Sequence, residues 1–349
     1  MTGIPKDFRN ISQAVGADAL LIQGAGGNSS IKIDANLMWV KASGKWLQHA
    51  GDDDVFVAVD QAMINQNIAD GITDPVAGAS LPVGPVGLRP SIETTLHSLM
   101  QHRVVFHTHS INTIVHAVQK NAADILTPKL AGLRWGFVPY SQPGLPLTRL
   151  VADILASQPC DVLVIQNHGL VVGGDSAEQA LALMNDVESR LKTEAAAMKQ
   201  PTVKALLEAS SGTESVVAES DIVHQLALHP SGFDQACARS LYPDHVVFLG
   251  SGIAGVQSAD ELAAWCRVLS DDPLRPKAIA LKGAGVLHSK SLSAGGLEML
   301  KALAEVSRRA PASSDIRYLS DKEEKELVNW DAEKYRQTLS ALNPQQLIP

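Results

Sequence analysis

One short theme occurs twice in this chain, and it narrows the folds open to it. Val104-Val-Phe-His-Thr-His109 is β-branched and aromatic and reads as a strand, with a helix over 111–119 behind it. Val162-Leu-Val-Ile165 reads as a short buried strand ending in Gln166-Asn-His-Gly169; Val171-Val172 continue it past the turn. A long amphipathic helix is expected over 176–198, with Ala177, Ala180, Leu181, Met184, Val187 and Leu191 on one face. In the second half, 242–251 can be laid on 100–109 without a gap, and 278–286 on 162–170, with a helix over 293–309 to follow. Two matches in the same order point to a degenerate duplication of an α/β unit. On that register His107 falls on Leu249, His109 on Ser251, His168 on Ala284 and Glu93 on Gln235. Four polar residues vanish together while the apolar pattern survives. Side chains that only packed would have no reason to be lost as a set.

The remaining elements fit the same class. A short helix is expected over 6–18 and a Gly-rich turn over 22–30. Strands over 30–33 and 37–41 are joined at Asp34-Ala-Asn36, a hairpin signal, and a further strand covers 55–59. Residues 72–90 are rich in Gly and Pro and read as a loop. Ser91 to Met100 has helical character, with Ser91 as cap and Glu93 in the first turn. At 349 residues the chain is long for a single core. The polar composition of 199–220 suggests a boundary, giving domains 1–200 and 221–349 with a linker over 201–220. Aromatic residues are only 4%, so aliphatic side chains must build the core.

Charge and cysteine usage exclude several functions. The net charge of −8, with no long basic run, argues against nucleic acid and against an anionic membrane surface as partners. No uncharged apolar stretch reaches the ~18 residues of a membrane span, and the N-terminus has no apolar signal core. Cys160, Cys237 and Cys266 form neither a disulfide framework nor a cysteine zinc site, and read as reduced, buried thiols of a cytoplasmic protein.

Side chains alternate along a strand, so His107 and His109 present two imidazoles side by side. His168, in a strand-end turn, supplies a third. Three neutral imidazoles with an open fourth position describe a catalytic zinc site, although imidazole suits other divalent ions too. Glu93 is the acid of the set, either a fourth ligand or a general base, and burial is expected to raise its pKa. Gly26-Gly-Asn-Ser-Ser30 and Ser43-Gly44 carry donors with little bulk and suit a phosphate or polyol; Ser91, at a helix start, could join them. The Gly-rich stretch is followed by a hairpin, so it is no dinucleotide fingerprint, and it lacks the Gly-Lys-Ser/Thr of a P-loop.

Gly27-Asn-Ser-Ser30, Ser43-Gly44, Ser91-Ile-Glu93, His107-Thr-His109 and Asn167-His-Gly169, in this order, resemble the class II aldolase/adducin family over about residues 8–200. Trp39–Gly44 and Ser91–His97 are similar in wording to the aldolase half of bifunctional rhamnulose-phosphate aldolase/dehydrogenase proteins. The stretches Tyr318–Asp321 and Asn329–Tyr335 resemble the segment joining the two halves; no dehydrogenase half follows, so no nicotinamide chemistry is expected. The resemblance implies an α/β/α sandwich around a mainly antiparallel sheet, followed here by the smaller α/β repeat. It implies zinc on His107, His109 and His168, and a metal-stabilised enediolate in the cleavage of a ketose or ketose 1-phosphate. It implies Glu93 as the proton shuttle, and Asn28, Ser30, Ser43, Gly44 and Ser91 as the phosphate or substrate site. Ile92 stands where the family pattern has a second serine before the acid, which leaves an unphosphorylated sugar open. Tyr140 is assigned the role of a tyrosine that, in related enzymes, comes from a neighbouring subunit and protonates the aldehyde. A homo-oligomer is implied, with the degenerate copy in a neighbour's place. An epimerase, dehydratase or decarboxylase would share the metal site, and an adducin-like scaffold would have no need of the three histidines.

Overall fold

The computed structural model describes residues 3–329. Its contacts divide the chain into two compact units, one of residues 1–117 and 122–192, the other of 118–121 and 193 onward. The Trp330–Tyr335 part of the joining-segment resemblance lies outside the described residues.

The first unit runs α1 (Lys6–Ala17), β1 (Asn28–Lys32), β2 (Leu37–Lys41), β3 (Phe56–Asp60), α2 (Gln61–Ala69), α3 (Thr94–Leu99), β4 (Val104–Thr108), α4 (Ile111–Ala117), α5 (Ala122–Lys129), β5 (Trp135–Val138), α6 (Leu145–Ser157), β6 (Val162–Ile165), β7 (Gly169–Gly174) and α7 (Ala177–Leu191). Seven strands form one sheet in the order β3-β2-β1-β4-β7-β6-β5, antiparallel except for β5 beside β6. Alternation sorts the strand side chains onto two faces. Val104, Phe106, Val164, Leu170 and Val172 join Phe8, Ala180, Met184 and Val187 in one core. Val105, Leu163, Ile165 and Val171 join Leu96, Leu147 and Val151 in the other. This is the expected α/β/α sandwich. The second face matters for function, because His107 shares it with Val105.

Two element limits differ from the sequence reading. The last helix of the unit ends at Leu191, its final buried position, instead of Met198; Lys192 leaves the helical conformation at ψ 129°, and Met198 is exposed with no apolar stripe to extend. Its start is as expected, with Ser176 Oγ accepting from Gln179 N. At the other site-bearing helix, Ser91 is not the cap. Ser91 O accepts from Thr94 N in a tight turn, α3 begins at Thr94, and Glu93 occupies the N-cap position.

The second unit contains α8 (Lys204–Ser210), β8 (Ser215–Val217), α9 (Asp221–Leu228), α10 (Pro230–Ala238), α11 (Pro243–Leu249), β9 (Ala254–Val256), α12 (Ala259–Arg267), β10 (Ala278–Leu281), β11 (Gly285–Ser289), α13 (Ala294–Ser307) and α14 (Asp321–Asn329). Its sheet has the order β8-β11-β10-β9. Residues 204–217, read from composition as linker, therefore form a helix and an edge strand, with Leu206 in the core beside Leu262, Ile279 and Leu287.

The internal match is half right in register. Laying 278–286 on 162–170 is faithful to single hydrogen bonds. β9 runs parallel to β10 as β5 does to β6, and β11 returns antiparallel as β7 does. Lys282 N donates to Val256 O as Gln166 N does to Val138 O, and Gly283 N to Ala227 O as Asn167 N does to Ala117 O. Laying 242–251 on the His-x-His strand is not. Residues 243–249 form helix α11, because Pro243 pre-sets the first turn, Asp244 favours it, and Gly250 at φ 84° ends it. The strand beside β11, in the place of β4 beside β7, is β8. Val217 faces Leu287 as His107 faces Val171. Gln235, laid opposite Glu93 on the continuous register, sits on α10.

Candidate metal centre and substrate site

The centre lies where β4, β1 and the β6–β7 turn meet the start of α3. Asn28 on β1 pairs with His107 on β4, and His107 with Val171 on β7. His109 follows one residue past the end of β4. His168 is set by its turn: Asn167 is buried at φ 53°, a left-handed conformation that Asn tolerates better than most side chains, and His168 N donates to Ile165 O. Gly169 then passes so close to β4 that a Cβ would sit 2.3 Å from Thr108 O. The Gly-rich turn approaches from the other side, where a Cβ on Gly26 would lie 2.8 Å from His109 Nδ1. No larger residue fits at either point, and this is the physical content of both glycine motifs.

The three imidazoles form a nearly equilateral cluster, with ring centroids 5.0, 5.0 and 5.2 Å apart. His107 Nε2 and His109 Nε2 are 3.2 Å apart. Glu93 Oε1 is 3.3 Å from His107 Nε2 and 2.9 Å from His168 Nε2. His107 Nδ1–H donates to Leu170 O at 3.0 Å, which leaves the neutral ring's Nε2 lone pair directed into the cluster. Lone pairs facing each other and a carboxylate repel unless a cation stands between them. A tetrahedral ion with bonds of about 2.0–2.1 Å has edges of about 3.3 Å, so the donor set fits a divalent metal in both chemistry and spacing. Among the described residues this is the one group of ligating side chains arranged to hold such an ion.

The expectation of a raised Glu93 pKa is overturned. With no ion between them, burial works to raise it, but a His107 ring that also carries a proton on Nε2, together with the hydrogen bonds it and His168 then make, outweighs burial and holds the carboxyl well below the usual range. Its other oxygen is anchored: Asn28 Nδ2 donates to Glu93 Oε2 at 2.8 Å and to Ser91 Oγ at 3.2 Å.

The remaining sequence-assigned residues separate into four positions. Asn28 and Ser91 adjoin Glu93. Ser43 and Gly44 belong to the next loop, tied to the Ser91 segment by Ser43 N donating to Arg89 O and Ser91 N to Lys41 O; Gly44 turns the chain at φ 75°. Ser30 is fully buried behind Asn28, with its hydroxyl 2.8 Å from His97 Nδ1, so it supports the site from beneath. Tyr140 is half-buried beyond the end of β5, its backbone N donating to Gln166 Oε1 at 3.2 Å, next to the turn that carries His168.

Two residues were missed. His97 is fully buried, and its imidazole is held down to about 3 by burial and then by His107. Lys41 is 2% exposed, and its ammonium donates to Ala25 O at 2.9 Å and Lys45 O at 2.6 Å, tying both Gly-containing loops together. A lone lysine in the apolar run Leu37–Val40 was the available signal for the second.

The model of the class II aldolase and adducin N-terminal domain matches residues 10–195, and the chain belongs to this family. Over 183 residues it is 24% identical to the L-fuculose phosphate aldolase of Methanocaldococcus jannaschii, a stretch that covers 50% of this chain and 87% of that protein. Over 197 residues it is 29% identical to the uncharacterized oxidoreductase YuxG of Bacillus subtilis; this covers 50% of the chain but 27% of YuxG, so the chain spans about a quarter of that relative. Among solved structures, the N-terminal class II aldolase domain of a conserved protein from Thermoplasma acidophilum is similar at 22% identity and a TM-score of 0.45, covering 53% of this chain and 90% of that one. A sugar-phosphate aldolase from Thermotoga maritima is similar at 13% identity and a TM-score of 0.42, with 53% and 90% covered. Among the described residues no helix is long and apolar enough to cross a membrane. The three cysteines are free, Cys160 and Cys266 buried and Cys237 half-buried.

Proposed function

We propose that the chain is a zinc-dependent aldehyde-lyase that reversibly cleaves a ketose, with ketose 1-phosphates as the substrate class. The observation that carries this reading is the buried convergence of three imidazole Nε2 atoms and Glu93 Oε1, in a chain of the class II aldolase family. The similarity to an L-fuculose phosphate aldolase supports the substrate class. His107, His109 and His168 would hold the ion, which when bound supplies a Lewis acid for the carbonyl and neighbouring hydroxyl of the sugar.

The other roles belong to this chain's own groups. Glu93 moves the proton at the nucleophilic carbon, giving it up in cleavage and taking it back in condensation. Asn28 keeps its carboxylate oriented. Ser43, Gly44 and Ser91 hold the phosphate or polyol end, and the buried ammonium of Lys41 makes the loops around them favourable to an anion. Tyr140 is the proton partner of the aldehyde oxygen. Cleavage breaks one carbon–carbon bond and moves one proton from a hydroxyl to a carbon, so no redox partner is needed.

The test begins with elemental analysis of the purified protein beside His107→Ala/His109→Ala. About one divalent ion per chain in the wild type and none in the double variant is the expected result. Ketose 1-phosphates, L-fuculose 1-phosphate among them, and free ketoses are then screened for release of an aldehyde. Aldehyde release separates the lyase from an epimerase, dehydratase or decarboxylase on the same site. A wild-type protein that takes up no metal even after reconstitution with zinc would remove the basis of the proposal.

A further inference from the structure

We propose that His97 is a positioning residue of this site: its hydrogen bond to the Asn28 carboxamide oxygen fixes which end of that amide meets Glu93, and so fixes how Glu93 is presented. The inference rests on Glu93 being the proton-transfer group.

The chain of contacts has a single consistent direction. Asn28 Oδ1 can only accept, so its partner His97 Nε2 must carry a proton. In a neutral ring Nδ1 is then an acceptor, and Ser30 O–H must donate to it across 2.8 Å. Asn28 Nδ2 is thereby turned toward Glu93 Oε2 at 2.8 Å and Ser91 Oγ at 3.2 Å. Five side chains from β1, α3 and the turn before α3 thus share one proton order.

The reverse order has a clear cost. With the proton on Nδ1, the bare Nε2 would require Asn28 to turn its NH₂ group toward His97. Asn28 Oδ1 would then face the Glu93 carboxylate, acceptor against anion, at the distance where a hydrogen bond now stands. The anchored oxygen would be released, and Oε1 would no longer be held among the imidazoles. His97 is fully buried, so solvent does not compete to set its tautomer. Asn28, matched by the family resemblance to the phosphate site, has its NH₂ committed to Glu93 and Ser91, so its first duty is to the acid.

Two readouts test this. Protein labelled with ¹⁵N-histidine is examined by long-range ¹H–¹⁵N spectroscopy near pH 7.5, with the His97 ring assigned by its absence in His97→Gln. The expected ring carries its proton on Nε2 and has a bare Nδ1; a proton on Nδ1, or on both nitrogens, would overturn the inference. The second readout uses dihydroxyacetone phosphate, the ketone that cleavage of a ketose 1-phosphate leaves, and follows exchange of its carbon-bound proton with deuterated solvent in the zinc-loaded protein. His97→Leu is expected to lower the saturated exchange rate by about ten- to a hundredfold, with zinc content and KM nearly unchanged. His97→Gln, whose amide can still donate, recovers part of the loss. His97→Gln/Asn28→Ala should exchange no more slowly than Asn28→Ala alone, because His97 acts through Asn28. Additive losses, or a loss confined to KM or zinc, would refute the role, and this comparison stands even if His97→Leu does not fold. If the wild type exchanges no carbon-bound proton at all, the aldolase reading fails, and the tautomer measurement alone decides the assignment of His97.

Discussion

Hairpin β6–β7 of the first unit and hairpin β10–β11 of the second are built to one plan, yet the first carries His168 where the second has Ala284. Each turn has three residues, and the middle one is left-handed, Asn167 at φ 53° and Gly283 at φ 76°. Each turn closes by the same bond, His168 N to Ile165 O and Ala284 N to Leu281 O. Farther along, Gly173 N donates to Asp161 O as Ser289 N does to Lys277 O. Each hairpin is followed by a helix capped by a serine, Ser176 or Ser293. The differences are in side chains: His168 against Ala284 in the turn, and His107 against Val217 on the strand alongside. The backbone that aims the imidazoles is held by strand pairing that the second hairpin shares without them. Ligand side chains can therefore be present or absent on the same scaffold, and fold alone does not license a function.

The sharpest way to break the comparison is to give the first hairpin the second's residue. His168→Ala should remove the metal and lower cleavage activity by at least about a thousandfold, since the Lewis acid is asked for several kcal/mol. Elemental analysis and aldehyde release check it, and a variant that keeps both would mean that the turn histidine is not a ligand. Next in size is a pH effect expected in both units. Burial holds the imidazoles of His97 and His245 down to about 3, with the His107 ring adding to the effect at His97. In the unfolded chain each would titrate near about 6.5. Below that value the unfolded state binds the extra proton, so the stability is fully present above about pH 6.5 and declines as pH falls toward 3. The slope is up to about 1.4 kcal/mol per pH unit for each histidine. Urea midpoints at pH 7, 6 and 5 measure it, and His245→Phe should flatten the dependence.

Smaller effects separate backbone from chemistry. Gly169→Ala drives a Cβ into the backbone of β4 at Thr108 and should cost about 1–3 kcal/mol in urea unfolding while lowering metal retention. Asn167→Val and Gly283→Val should each cost about 1–2 kcal/mol, the penalty of a left-handed residue with a branched side chain. Only the first of the two should also lower metal content. If Gly283→Val lowered it as well, the turns would not be independent.

What could be read from the residues followed how local the signal was. His107 and His109 are two apart at the end of a strand, and His168 stands in a turn flagged by its neighbouring Asn and Gly, so the candidate metal cluster was legible in sequence. Strands β1, β2, β4, β6 and β7 were legible from alternation and β-branching. The direction of the Glu93 shift was not, because it depends on imidazoles brought from two other segments. His97 was also missed as a partner of Asn28, 69 residues away. Val246-Val-Phe-Leu249 is too short for periodicity to separate strand from helix, and Pro243 and Gly250 decided for helix. Ser215–Val217 was hidden in a polar stretch because an edge strand needs few apolar residues.

By itself the sequence determined the α/β class, the candidate ligand set and the glycines that let it close, because each depends on side-chain type and on spacings of a few residues. Tertiary structure decided which strand stands beside the second hairpin and that Ser30 works from behind the site. It also decided that Glu93 is held as an anion by its neighbours and that the proton order at Asn28 is set by a buried histidine. These depend on which segments meet in space and on the few ångströms between their polar atoms. At that range burial and nearby charge outweigh any preference a residue has on its own.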